Sequence, residues 1–195
     1  MTNELLVQGR ECGACTVCCI NLTINDPELQ KLPGVKCKNT LKDGGCKIYK
    51  SRPKTCRDWY CMWRFMPGLD DSWRPDLKGI VIKRVFEGIP AGYENKIALD
   101  FEIIGGKKAI HDIDFINTVG GYIEQGFACF MSYGKPRKAT TMVFLNDLLF
   151  TSIQSQNITQ IKENLSKAYK VCVKTPKDIV TIKNNEIVIL PARKK

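Results

Sequence analysis

The stretch Cys12-Gly13-Ala14-Cys15-Thr16-Val17-Cys18-Cys19 decides how this chain is read. Its C-x2-C-x2-C spacing lets one turn of backbone aim three sulfurs at a common centre, and Gly13 permits the tight wrapping. Cys19 follows Cys18 directly. Adjacent side chains in an extended chain point in opposite directions, so Cys19 is expected to serve a second centre or to be a spare thiol. Three close thiolates with a remote fourth hold many four-iron–four-sulfur clusters. Zinc more often takes two separated C-x2-C pairs. The spacing puts an iron–sulfur cluster ahead of zinc and leaves both open.

Outward from this stretch, Cys37, Cys46, Cys56 and Cys61 complete a run of eight among the chain's 10 cysteines. Met1 to Arg10 lacks the basic start and apolar run of an export signal. That implies a reducing, cytoplasmic setting, where clustered thiols are ligands or redox groups rather than a disulfide framework. Pro53 fixes its own φ and pushes Arg52 into an extended conformation, a rigid bend able to bring Cys46 and Cys56 together. Arg52 and Arg57 would then lie near thiolates, donating to sulfur and offsetting its charge; the plainer alternative is solvated surface. The candidate metal ligands are Cys12, Cys15, Cys18, Cys19, Cys37, Cys46, Cys56 and Cys61. Cys61 is the expected fourth partner of Cys12, Cys15 and Cys18. Cys19, Cys37, Cys46 and Cys56 then form a second group, against the competing view of one centre with spare thiols.

The set C-x2-C-x2-C-C, followed by Cys46-x-Ile48-Tyr49-x-x-Arg52-Pro53-x-x-Cys56-Arg57, resembles the CxxCxxCC, or YkgJ-like, cysteine-cluster proteins over about residues 10–65. That family is described as zinc- or iron-chelating, so the resemblance implies metal binding without implying a reaction. Flagellin lysine methylases carry a similar cluster, which keeps a protein-modifying enzyme among the alternatives. A Gly-rich cofactor loop, which methyl transfer would favour, is missing from the sequence.

Residues 1–75 are dense in turn formers, such as Leu32-Pro33-Gly34 and Asp43-Gly44-Gly45, and poor in periodic apolar positions. They read as an irregular cysteine-cluster module organised by metal. Within it, Asn25 or Asp26 is placed to cap a short helix over Pro27–Leu32. Residues 76–195 read as an α+β domain of unknown role. Strands are expected over Gly79–Phe86, Lys96–Ile104 (alternating and half-buried), Phe127–Tyr133 and Thr141–Phe144. Asp112 caps a helix to about Gln125, and Thr159 caps another to about Ala168. A hairpin of Ile179–Ile182 and Ile187–Leu190 turns at Asn184-Asn185. The expected sheet is small and mostly antiparallel, with two helices on one face.

The formal net charge of +10 points to an acidic partner. Trp59, Tyr60, Trp63 and Phe65 lie among Arg57, Arg64 and a run of lysines (Lys36, Lys38, Lys42, Lys47, Lys50 and Lys54). That is a nucleic-acid footprint, or else an apolar cover over a metal site with solvated lysines around it. An unidentified protein partner is the other expectation. No run approaches the roughly 18 apolar residues of a membrane span. His111, the only histidine, builds no triad and is read as structural. Cys129 and Cys172, each between apolar neighbours, are read as core thiols. Their replacement by Ala is expected to leave metal content unchanged. Metal analysis checks this, and loss of one equivalent would redraw the cluster.

Overall fold

The structure is a computed structural model that describes residues 5–175, 177–184 and 186–192. In chain order the elements are α1 (Val17–Asn21), β1 (Ile24–Asp26), β2 (Leu29–Lys31), α2 (Lys54–Asp58), α3 (Pro75–Lys78), β3 (Ile80–Val85) and β4 (Ala98–Ile103). There follow α4 (Ile113–Glu124), β5 (Ala128–Tyr133), β6 (Met142–Phe144), α5 (Asn146–Gln154), α6 (Ile158–Lys174), β7 (Ile179–Lys183) and β8 (Glu186–Leu190). The fold is α+β. No helix among the described residues is long and apolar enough to cross a membrane.

The chain forms two compact units. One comprises residues 1–77, 134–140 and 176–195; the other comprises 78–133 and 141–175. The sequence reading cut the chain once near residue 75. In the structure, 134–140 and the terminal hairpin group instead with the cysteine-rich segment.

In the first unit, the helix expected over Pro27–Leu32 is absent. β1 and β2 pair antiparallel there, with Ile24 opposite Lys31 and Asp26 opposite Leu29. Pro27 presets a turn, and the Asp26 carboxylate accepts the Glu28 N–H at 3.1 Å, so Asp26 closes a turn instead of capping a helix. Its second oxygen accepts the Thr55 N–H at 3.0 Å, satisfying a donor in the first turn of α2. Residues 134–140 are tied in by main chain. The Arg137 N–H donates to Pro33 O at 2.7 Å, and the Val180 N–H donates to Arg137 O at 2.9 Å. β7 and β8 form their own two-stranded antiparallel sheet. Asn184 takes the positive φ of the turn (49°), and Asn185 lies outside the described residues.

The second unit holds a four-stranded sheet in the order β3-β4-β5-β6. Its outer pairs are antiparallel, but β4 and β5 run parallel. Parallel neighbours need a crossover, which α4 supplies. Asp112 caps α4 as expected, accepting from the Asp114 and Phe115 N–H groups. Phe115 packs edge-on against Phe101 on one sheet face. On the same face, the Cys172 thiol of α6 donates to Met131 O at 3.2 Å. Two helix expectations change. α5 was not anticipated: Asn146 at its start gives its side chain to β5, accepting the Cys129 N–H at 2.8 Å, so no capping signature marks it. α6 is capped by Asn157, not Thr159, and continues to Lys174.

β4 is buried on both faces, not half-buried. Asp100 and Glu102 are each 1% exposed. Lys83, opposite Asp100 in the register, reaches both carboxylates at 2.9 and 3.0 Å. Ser132 donates to Asp100 at 2.7 Å. Taking charge out of water is tolerated only when it is paired, so the alternation reading failed at residues whose partner stands on the next strand. Lys83→Met strands two buried carboxylates and is expected to cost about 3–5 kcal/mol by denaturant titration. Combining it with Asp100→Asn and Glu102→Gln should return most of that loss.

Candidate metal centre

Cysteine placement begins with Gly13. Its φ of 50° turns the backbone so that the Cys15 N–H donates to Cys12 O at 2.8 Å. The Asp43-Gly44-Gly45 turn presses against this loop: the Gly45 N–H donates to Ala14 O at 3.2 Å. A Cβ on Gly44, at φ 93°, would lie 2.4 Å from Ala14 O, so only glycine fits. An isolated bridge between Thr40 and Cys46 closes the same excursion. The Cys37 N–H donates to Cys19 O at 2.9 Å, which fixes Cys37 beside α1. Asp26, by capping α2, holds Cys56 over the β1–β2 hairpin. There Cys19 and Cys56 pack on a core of Ile24, Leu29 and Cys37.

The sulfurs fall into two neighbourhoods. Cys12 and Cys15 both act electrostatically on Cys61, and the same pair acts on Cys18. Cys19, Cys37 and Cys46 all act on Cys56. Cys18 and Cys19 join the two. They sit in α1 rather than in extended chain, so their side chains are offset by one helical step instead of opposed. The Cys18 thiol donates to the Cys19 sulfur. The expectation that they point apart is thus corrected by local helix. Cys129 and Cys172 are buried in the second unit, whereas this set belongs to the first. Among the described residues, no three His, Cys, Asp or Glu side chains close to the spacing of a metal shell.

Several groups are aimed at sulfur. The main-chain N–H of Asn39 reaches the Cys37 sulfur at 3.5 Å, and nearby main-chain N–H groups partly offset the effect of burial on Cys61 and Cys15. Arg64, itself buried, donates to Cys12 at 3.7 Å. Arg52 lies 3.9 Å over the Tyr49 ring and donates to Tyr49 O at 3.0 Å; its charge acts on Cys12, Cys19 and Cys56. Arg57, expected to behave similarly, is exposed and works on Asp26 and Asp58 instead. Trp63 is buried, with its indole N–H on Asp70 O, and Tyr60 meets Phe65 edge-on. Arg10 ties this loop to the Cys12 segment by donating to the carbonyls of Trp63, Met66 and Leu69. The six lysines from Lys36 to Lys54 singled out in the sequence are all exposed.

Two residues of the site escaped the sequence reading. Asp76 stands against Cys15, and its negative charge, after burial, helps push that thiol up to about 11. Lys31 is 4% exposed and lies near Cys37, Cys19, Cys18 and Cys56. The alternation Leu29-Gln30-Lys31 would have placed Lys31 on the buried side of a strand, had a strand been assigned there. His111 belongs to the second unit and pairs with the Ser166 hydroxyl at 2.8 Å.

Burial holds Cys61 up at about 12 and raises Cys56. Cys19 goes the other way, to about 7, through the Cys18 hydrogen bond and the Lys31 and Arg52 charges. The donor set suits soft metal: thiols with N–H donors and cations around them, ready to support thiolates. No known protein family, curated protein or solved structure matches the chain.

In metal-free, reduced protein, the lowering of Cys19 and the raising of Cys15 and Cys61 leave Cys19 the more ionised of these three near neutral pH, and the thiolate is the nucleophile. Iodoacetamide mapped by mass spectrometry is expected to label Cys19 ahead of Cys15 and Cys61. Cys18→Ala should slow that labelling by returning Cys19 toward an ordinary thiol. Equal rates at all three positions would refute the assignment.

Proposed function

We propose that the chain is a thiolate metal protein, with Cys12, Cys15, Cys18 and Cys61 as one ligand group and Cys19, Cys37, Cys46 and Cys56 as the other. The observation that carries this reading is convergence over sequence distance. Cys61 shares a neighbourhood with Cys12 and Cys15, and Cys56 shares one with Cys19, Cys37 and Cys46. Core packing alone would account for Cys19, Cys37 and Cys56 beside Ile24 and Leu29. It does not account for cations brought to the same sulfurs. The C-x2-C-x2-C spacing and the resemblance to the CxxCxxCC proteins favour an iron–sulfur cluster ahead of zinc. When bound, iron–sulfur would supply electron transfer, and zinc would supply cross-linking of the loops. The clustered free thiols suit a reducing compartment such as the cytoplasm.

A second reading rests on the six exposed lysines: a metal-stabilised module that docks nucleic acid. Affinity for RNA or DNA falling steeply with salt supports it, and binding indifferent to salt opposes it.

The test of the metal reading is metal analysis and visible absorption of anaerobically purified protein. Cys15→Ser and Cys56→Ser should each lose about half the bound metal, and the double variant nearly all, as independent centres require. If Cys15→Ser alone empties a folded protein, there is one centre. Wild-type protein free of iron and zinc would defeat the reading.

A further inference from the structure

The first unit buries an ammonium group that its own carboxylates do not neutralise. Lys31 closes β2, and its Nζ donates to Ile20 O and Leu32 O, each at 3.0 Å. No carboxylate pairs with it among the described residues. Two of its three donors are committed to neutral carbonyls, which anchor the nitrogen but leave its charge uncompensated. The nearby groups that can become anionic are the sulfurs of Cys37, Cys19, Cys18 and Cys56. As thiols they are neutral, and a buried charge facing neutral groups is costly. Packing alone gives no reason for a lysine here, since Leu29 and Ile24 make the surrounding core and a methionine would fill the same space.

We propose that Lys31 is a specificity-determining residue of the Cys19–Cys37–Cys46–Cys56 group. It selects a centre with net negative charge, namely a soft divalent cation held by four ionised thiolates. This rests on the metal reading and deepens it. A divalent ion on four thiolates leaves an anion that the fixed ammonium neutralises, with Arg52 contributing from the side of Cys19 and Cys56. The other group is built differently. Its cations are the Arg64 and Arg52 guanidinium groups near Cys12, and Asp76 adds a carboxylate beside Cys15. Lys31 therefore acts on Cys37, Cys19 and Cys56 of one group and on Cys18 alone of the other, so its effect falls mainly on the first.

The consequence has opposite signs with and without metal, which a purely structural lysine would not produce. Lys31→Met and Lys31→Arg are made in the full chain, stripped of metal and titrated with zinc against a chromophoric chelator. Thermal unfolding of the metal-free forms is followed by circular dichroism. The expected result is that Lys31→Met leaves the metal-free melting temperature unchanged or raised, because an unpaired buried charge is gone. One zinc equivalent weakens by about tenfold or more while the other changes much less, the range seen when groups supporting metal ligands are removed. Lys31→Arg retains wild-type affinity. A parallel fall in metal-free stability and zinc affinity would reduce Lys31 to a tie between two carbonyls and overturn the proposal. Unchanged affinity for both equivalents overturns it too. Wild-type protein that takes up no zinc overturns the Lys31 assignment, and protein that holds neither zinc nor iron defeats the metal reading as well.

Discussion

Charge held away from water is the constraint on which both units depend. In the second unit it is met internally: Lys83 stands between Asp100 and Glu102, and Ser132 donates a hydrogen bond to Asp100. In the first unit the cations are present and the matching anions are not carboxylates. Lys31 and Arg64 are buried beside sulfur, and Arg52 lies between aromatic rings with its charge on three cysteines. The same physics yields a closed ion cluster in one place and, on our reading, a ligand group awaiting metal in the other.

This contrast explains the unequal character of the two units. The sheet of the second unit is organised by apolar residues such as Phe101, Phe115, Leu99 and Met131, which need no partner beyond one another. The first unit has a thin apolar core. Ile24, Leu29 and Cys37 form one small cluster, and Trp63, Leu69 and Trp73 are buried around the loop that carries Cys61. Much of its definition comes from single polar contacts: Asp26 on α2, Arg10 on the 63–69 carbonyls, and Gly44 against Ala14. A small apolar core of this kind is the setting in which a bound ion contributes most to folding.

What was legible in the sequence was what depends on near neighbours. Asp112 as a cap, the strands on either side of it and the Asn184 turn follow from local rules and are found as expected. So are the cysteine-loop turns at Gly13 and at Gly44-Gly45. What was not legible depended on residues distant in sequence. Asp26 looks like a helix cap until Thr55 is seen to need its second oxygen. Asp100 and Glu102 mark an exposed face until Lys83 is placed opposite. Asn146 hides the start of α5 because its side chain serves β5. Lys31 was passed over because Pro27–Leu32 reads as a short helix, which hides the strand alternation that buries it.

The first unit is discontinuous along the chain. Its cysteine loops come first, but residues 134–140 and the β7–β8 hairpin arrive only after most of the second unit. On a ribosome, the eight thiols therefore emerge well before the strands that complete their unit. On the metal reading we propose, they are during that interval an unfinished chelator exposed to whatever the cell offers. On that reading, synthesis order would set a window in which the nascent chain needs either prompt metal or protection from oxidants. Such a window would not exist had the hairpin preceded the cysteines.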